Sequence, residues 1–198
     1  MTLRTFFAVL LLVALAMVAG SQQQPTEQQK RSDEILTKIR KVQLYNQVLP
    51  VLFTQEQVRA LLPILEKHRA EAAKLENEEF KWLQSVEPQF TSALTAAEGK
   101  GATPDAKMMD EVVLYFNAFV LKRKDLVNET VASLKKTMKE KLNEGQVRAA
   151  ANAFDPRGLQ FTKPVEELTE DEKLDNWVRV VLMDSHTYYI LTDLSKKN

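Results

Sequence analysis

The residues that could carry chemistry in this chain are led by two histidines, His68 and His186, because the sequence contains no cysteine. Glu71 follows His68 by three positions, a spacing that places both side chains on one face of a helix, where they could ligate a metal ion. A histidine on a half-apolar helix face is more often a core or boundary residue. We therefore expect no metal site, and we keep His68 and Glu71 as candidate ligands.

Residues 183–186, "MDSH", place Asp184 and Ser185 directly before His186. Consecutive residues on a helix point in different directions, so this run does not predict a catalytic triad. The five glycines do not form a phosphate-binding loop of the G-x-x-x-x-G-K type. The sequence therefore predicts a protein that is not an enzyme and that needs no cofactor.

Composition indicates the fold class. Glycine is rare, and long runs are rich in Ala, Leu, Glu, Lys and Gln, which favour helix over strand. We predict an all-α fold of about four to five helices, with long antiparallel helices in a hairpin, bundle or cradle. The 27 basic and 27 acidic residues balance, which argues against a nucleic-acid partner.

Apolar residues at three- and four-residue spacing predict which helix faces are buried. Pro63 is expected to kink the second helix and Pro88 to end or bend it, and "AAEGKGATPDAK" is the strongest predicted turn. The predicted stripes are Ile35, Ile39, Val42, Tyr45 and Leu49; then Leu61, Leu65, His68, Ala72, Leu75, Trp82 and Val86; then Met109, Val113, Phe116, Val120, Val127, Val131, Leu134 and Met138; and finally Leu174, Trp177, Val181, Tyr188 and Leu194.

The N-terminus has the pattern of a secretory signal peptide. Arg4 precedes an uncharged apolar run, and small residues end it at Gly20. The run is shorter than the roughly 20 residues that a membrane-spanning helix needs, which argues against the alternative of a membrane anchor. We expect residues 1–20 to be cleaved, residues 21–30 to form a flexible Gln-rich leader and residues 31–198 to form one helical domain. The protein would then be periplasmic or otherwise exported, with no stable membrane insertion.

Two short stretches repeat the letters Gln-Val-Arg-Ala, in "TQEQVRALL" and "NEGQVRAAA". In each, a residue that can cap a helix lies three positions before a Gln. Thr54 with Gln57, and Asn143 with Gln146, therefore predict two capping boxes, in which each side chain bonds the other residue's backbone N–H. A third box is predicted at Thr169 and Glu172.

Written with their flanks, "LFTQEQVRALL" and "KLNEGQVRAAA" resemble the paired Leu-Thr-x-x-Gln motifs of the Spy/CpxP family of periplasmic helical proteins. The motif positions here are Leu52, Thr54, Gln57, Leu142, Asn143 and Gln146. Phe53 stands directly before Thr54, where the family motif has Leu, and Asn143 replaces the Thr. The resemblance implies a structural role for these residues at helix starts and in a dimer.

The resemblance also implies a function. Members of the family include ATP-independent chaperones, which form antiparallel, cradle-shaped dimers, and an accessory regulator of an envelope-stress sensor. The expected partners are unfolded or misfolded envelope proteins or, alternatively, one sensor protein, with a possible homodimer. Phe80, Trp82, Tyr115 and Phe119 cannot all lie on one buried stripe, so we take them as candidate client-binding residues; ordinary core packing is the alternative.

Overall fold

The computed structural model describes residues 26–156 and 164–196. These residues form six α-helices and no strand, which confirms the all-α prediction with more helices than expected. The predicted signal peptide lies outside the described residues. The helices are α1 (Glu27–Val48), α2 (Gln55–Lys100), α3 (Ala106–Lys141), α4 (Glu144–Asn152), α5 (Glu170–Trp177) and α6 (Ser185–Leu194), with 3₁₀ turns at Leu49–Val51 and Val165–Glu167 and a π-helical segment at Val178–Leu182.

The chain divides into two compact units, Met1–Val42 and Gln43–Asn198. In the first unit, α1 begins at Glu27, earlier than the expected start near residue 31. The stripe predicted to be buried is exposed there, at Ile35, Ile39 and Val42. In the second unit the buried face is displaced by one residue from the prediction: Leu44 and Val48 are buried, whereas Tyr45 is half-buried and Leu49 is exposed.

Helices α2 and α3 form an antiparallel hairpin. Their antiparallel direction is shown by contacts that pair residues early in α2 with residues late in α3, such as His68 with Thr130 and Glu78 with Lys122. Gly101 ends α2 at φ 64°, a left-handed conformation that glycine adopts without steric cost. The turn therefore lies where it was predicted. Pro88 does not end α2, which continues to Lys100.

The main core lies at the base of the hairpin, where α4, α5, α6, the π-helical segment and the C-terminal end of α1 pack against it. Trp177 is the largest fully buried side chain, and Phe53 packs against the same cluster, with its ring centroid 6.4 Å from that of Trp177. The hairpin contributes residues from only one end of each helix: Val58, Leu61 and Leu65 from α2, and Val131, Leu134 and Met138 from α3.

The third predicted stripe is correct at the base of the hairpin and wrong beyond it. Met109, Val113 and Val120 are exposed, while Met108 and Phe119 are buried. The buried residues Met108, Phe119 and Thr130 recur at intervals of eleven, or about 3.67 residues per turn. The predicted residues Met109, Val120 and Val131 recur at the same interval, so the predicted stripe had the right spacing but lay one residue away from the buried line in the outer part of the hairpin.

The two capping boxes predicted in the repeated stretches are present, and their glutamines bond to each other. Gln57 Nε2 donates to Gln146 Oε1 over 2.9 Å, and Gln146 Nε2 donates to Gln57 Oε1 over 3.0 Å. Each Oε1 also accepts the backbone N–H of its own cap residue, Thr54 or Asn143. We call this arrangement the glutamine clasp. It joins the start of α2 directly to the start of α4.

The clasp uses the full hydrogen-bonding capacity of both amides. The second proton of Gln57 Nε2 goes to the Lys141 carbonyl, two residues before Asn143. In the same way, Gln146 Nε2 donates to the Leu52 carbonyl, two residues before Thr54. Each glutamine therefore caps its own helix and ties down the chain that leads into the other one. The two copies of the Gln-Val-Arg-Ala sequence therefore make reciprocal hydrogen bonds within one chain.

The segments before the caps add apolar contacts to the clasp. Phe53 and Val58 occupy the positions of a hydrophobic staple at the start of α2, and Leu142 and Val147 occupy the same positions at α4. All four belong to the core or pack against it. Leu52, by contrast, is 78% exposed and adopts a left-handed conformation at φ 53°. Phe53 therefore fills the apolar motif position that was assigned to Leu52.

Ion pairs fix α5 on α3. Lys135 Nζ lies 3.0 Å from Asp171 and 3.2 Å from Asp175, and Lys139 Nζ lies 2.6 Å from Asp171. Hydrogen bonds from Lys139 and Lys135 lower the pKa of Asp171. Burial opposes the charged form of Lys135, but hydrogen bonds to Asp171 and Asp175 raise its pKa overall. The third capping box, Thr169 with Glu172, starts α5 beside this cluster.

Breaking the glutamine clasp is expected to destabilise the protein more than removing an isolated cap. Gln57→Ala removes one cap, both hydrogen bonds to Gln146 and the bond to the Lys141 carbonyl, and should lower the free energy of unfolding by about 2 kcal/mol. In a double-mutant cycle by urea denaturation, Gln57→Ala and Gln146→Ala should couple by about 1 kcal/mol. Thr169→Ala, which removes a cap outside the clasp, should add independently to Gln57→Ala. Additive effects of the two glutamine changes would contradict the clasp.

The ion pairs of Asp171 predict a loss of stability in acid. Its pKa is lowered from 3.8 by folding, so its contribution is present above that pH and is lost as the pH falls below it. Asp171→Asn should lower the unfolding free energy at about pH 7 and flatten its decrease in acid, with only a modest magnitude because the pairs are partly exposed. Asp193→Asn, an exposed change on α6, is the control. Identical acid profiles for the protein and the Asp171 variant would refute this assignment.

Candidate functional site

The motif residues that form the two caps lie at the base of the hairpin, beside the main core, and contact one another. Thr54, Gln57, Asn143 and Gln146 meet in the glutamine clasp, and Leu142 is buried beside it. The Gln57 and Gln146 amides bond backbone and each other, so their hydrogen-bonding groups are used within the fold. The structure thus places these residues where they hold α2 and α4 together.

His68 is a structural residue in this fold. Its Nδ1 lies 2.9 Å from the Thr130 hydroxyl, which itself donates to the Leu126 carbonyl. Since the single hydroxyl proton is used there, His68 Nδ1 carries the proton and donates. Burial lowers the pKa of His68, which favours the neutral ring. The Glu71 carboxylate instead lies 3.7 Å from Lys74 Nζ. The described residues contain no group of three or more His, Cys, Asp or Glu side chains that could hold a metal ion.

The Asp184-Ser185-His186 run forms the start of α6. The Asp184 carboxylate accepts the backbone N–H of His186 over 2.9 Å and thereby caps the helix. Asp184 therefore contacts the backbone of His186, as the position of an N-cap requires. The sequence pattern is explained by helix capping.

Beyond the base, α2 and α3 continue along each other towards the turn at Gly101. We call residues 76–125 the arm. Among the described residues, the side-chain hydrogen bonds from α6 and the π-helical segment to the hairpin lie outside the arm: Tyr188 bonds Glu66, Tyr189 bonds Arg69, and Arg179 bonds Asn128. Within the arm, Glu78 pairs with Lys122 and Glu79 with Arg123 across the two helices. The arm is thus held by contacts between α2 and α3.

The four candidate aromatic residues lie in the arm but differ in exposure. Phe80 is more than half exposed, and Tyr115 is exposed along one face. Trp82 is half-buried and stacks on Tyr115, with ring centroids 4.0 Å apart. Phe119 is only 3% exposed, so it is a packing residue of the hairpin and is unavailable as a surface contact. Three of the four residues therefore reach the surface.

Most of the exposed apolar residues of the arm are aliphatic, and the sequence pattern did not predict their exposure. Met109, Val113 and Val120 were expected in the core, whereas they form an exposed row on α3. Spacing alone could not have found them, because Met109 and Val120 are eleven residues apart, as are the buried Met108 and Phe119. The exposed apolar residues of the arm are Phe80, Leu83, Leu94, Met109, Val113, Leu114, Tyr115, Val120 and Leu121.

A groove of about 320 Å³ opens between α2 and α3 near the tip of the arm. Trp82 and Tyr115 line one part of it, and Glu111 is a charged residue on its wall. The remaining lining residues are mostly apolar: Val86, Gln89, Phe90, Met108, Val112 and Leu114. The volume falls in the range of small-ligand and peptide side-chain pockets.

A second cavity, beside the ion pairs of α3 and α5, has a different character. It is lined by Lys135, Asp175 and Arg179 together with neighbouring residues of α3. Lys135 and Arg179 both pair with Asp175. Its charges therefore hold helices together, and the arm remains the better candidate for a binding surface.

None of the described helices combines the length and the apolar character needed to span a membrane. In comparisons with known proteins, no family model, curated protein or solved structure matches the chain. The candidate site is therefore defined by its own geometry: an apolar, two-helix arm on a base closed by the glutamine clasp.

Proposed function

We propose that the protein is an exported, ATP-independent chaperone-like protein that holds unfolding envelope proteins on its arm. The observation that supports this proposal is the exposed apolar surface of the arm, where Leu114 is 70% exposed although it belongs to an ordered helix. Exposed apolar surface of this extent is typical of interaction sites. Export is inferred from the signal-peptide pattern of residues 1–20.

The arrangement of the surface suits loose holding. Apolar side chains are distributed along both helices, with charged residues such as Lys122 and Glu78 between them. Each apolar contact with a client removes only part of a side chain from water, so individual contacts are weak. A client could therefore exchange between them and fold while it is held, and no nucleotide would be needed for its release.

The base supplies the rigid support that such a surface requires. The glutamine clasp and the main core fix the first turns of α2 and the last turns of α3. Exposed apolar residues on the arm therefore stay presented to solvent instead of collapsing into a further layer of the fold. On this proposal the motif residues act through stability, and the arm residues contact the client.

Removing apolar surface from the arm is expected to weaken holding while leaving the fold intact. We expect Leu114→Ser with Leu121→Ser to raise the concentration needed for half-suppression of client aggregation about fivefold, since about 1 kcal/mol of apolar contact is lost. The assay is light scattering of an unfolding client without ATP. The matched control is Leu36→Ser with Leu49→Ser, which changes exposed leucines outside the arm.

Two results of that assay would contradict the proposal. An equal loss of aggregation suppression in the arm variant and the control variant would show that the arm is not the holding surface. No suppression of several unrelated clients by the unmodified protein would reject general holding and favour the alternative, an adaptor that binds one envelope-stress sensor or other dedicated partner.

We also propose that the protein forms a homodimer, as its resemblance to the Spy/CpxP family implies. Exposed rows such as Met109, Val113 and Val120 could be shared between a partner copy and a client. Light scattering coupled to size exclusion should then give twice the mass of the chain, and Val113→Ser with Val120→Ser should shift the equilibrium towards the monomer. A single-chain mass over a wide concentration range would reject the dimer.

A further inference from the structure

The tip of the arm combines its apolar groove with an excess of negative charge. Between Trp82 and Tyr115 the chain has five acidic residues, Glu87, Glu98, Asp105, Asp110 and Glu111, and two basic residues, Lys100 and Lys107, which gives a net charge of −3. The whole chain has a formal net charge of zero. The negative potential is therefore local to the part of the arm that contains the groove.

These carboxylates differ from those nearer the base in how they are compensated. Glu78 and Glu79 are paired with Lys122 and Arg123 on the facing helix. In the described part of the chain, by contrast, Glu111 forms no ion pair, although it lines the groove. A carboxylate without a cation beside an apolar groove is complementary to a ligand that carries both an apolar group and a positive charge.

The groove has the geometry for one apolar side chain. Met108 is almost fully buried at its floor, and the stacked rings of Trp82 and Tyr115 line it. Aromatic rings of this kind offer both a large contact area and an electron-rich face to a cation. Leu114, which is largely exposed, lies on the rim and could cover part of an inserted side chain.

We propose that this groove binds a short cationic and apolar segment of a partner protein, in which an aliphatic or aromatic side chain lies next to lysine or arginine. The inference rests on the proposed holding function and names the class of client segment that is preferred. Burial of the apolar side chain supplies affinity, and the acidic tip supplies steering and discrimination. Acidic segments of equal hydrophobicity would be repelled.

The test uses the purified protein and three fluorescent peptides of equal length in an anisotropy titration. One peptide alternates Leu and Lys, the second has Glu in place of Lys, and the third has Ser in place of Leu. Only the Leu-Lys peptide should bind saturably, and its affinity should fall as salt is added. Equal binding of the Leu-Glu peptide, or binding of the Ser-Lys peptide alone, would overturn the proposal.

Variants locate the site within the arm. Glu111→Gln should weaken binding of the Leu-Lys peptide about threefold and Glu111→Lys about tenfold or more, with unchanged thermal stability. Glu76→Gln removes an exposed carboxylate outside the groove and should have no effect. An equal loss in the Glu76 and Glu111 variants would show that general charge attraction is being measured, and would overturn the site.

The outcomes separate this inference from the holding function on which it rests. If unrelated clients are still held but no peptide prefers the groove, the inference fails and the holding proposal stands. If the Leu-Lys peptide binds in a Glu111-dependent way while unrelated clients aggregate freely, the groove stands as a specific partner site and general holding fails.

Discussion

The reciprocal hydrogen bonding of Gln57 and Gln146 is the constraint on which the rest of the structure depends. A single pair of side chains closes two capping boxes and satisfies carbonyls at Lys141 and Leu52, in segments that are distant in sequence. A side-chain amide with all its hydrogen bonds made stabilises the fold, whereas a partly buried amide that lacks one raises its free energy. The clasp therefore favours one arrangement of α2 relative to α4. The chain contains no cysteine, so the glutamine clasp and the core beside it must hold the base together without a disulfide.

The closed base makes the exposed arm possible. α2 extends for 46 residues, or about 69 Å at 1.5 Å per residue, and the main core engages only its first turns. The remainder is stabilised by facing residues such as Phe119 and by the Glu79–Arg123 ion pair, which leaves the outer faces of both helices in water. Stability and apolar exposure are thereby assigned to different ends of one hairpin, as the proposed holding function requires.

Much of this could be predicted from the sequence, and the errors have physical causes. Capping residues act over three positions, so Thr54–Gln57 and Asn143–Gln146 were visible as local patterns. Their mutual bonding was not, because it depends on tertiary contact. In the arm the predicted stripe was displaced by one residue, which put Val120 in the core and left Phe119 as a surface candidate. Both neighbouring positions are apolar and both fit the same spacing, so the sequence pattern could not choose between them. At α1, periodicity alone could not show that Ile39 stays exposed.

On the proposed function, clients contact the arm while the base remains closed. Site-specific photo-crosslinking tests it most directly, with a photoreactive residue placed at Leu114 on the arm or at Tyr189 on α6, both of which are more than half exposed. During incubation with an unfolding client, cross-links should form from position 114 and be largely absent from position 189. Equal yields from the two positions, or cross-links from position 189 alone, would contradict the account.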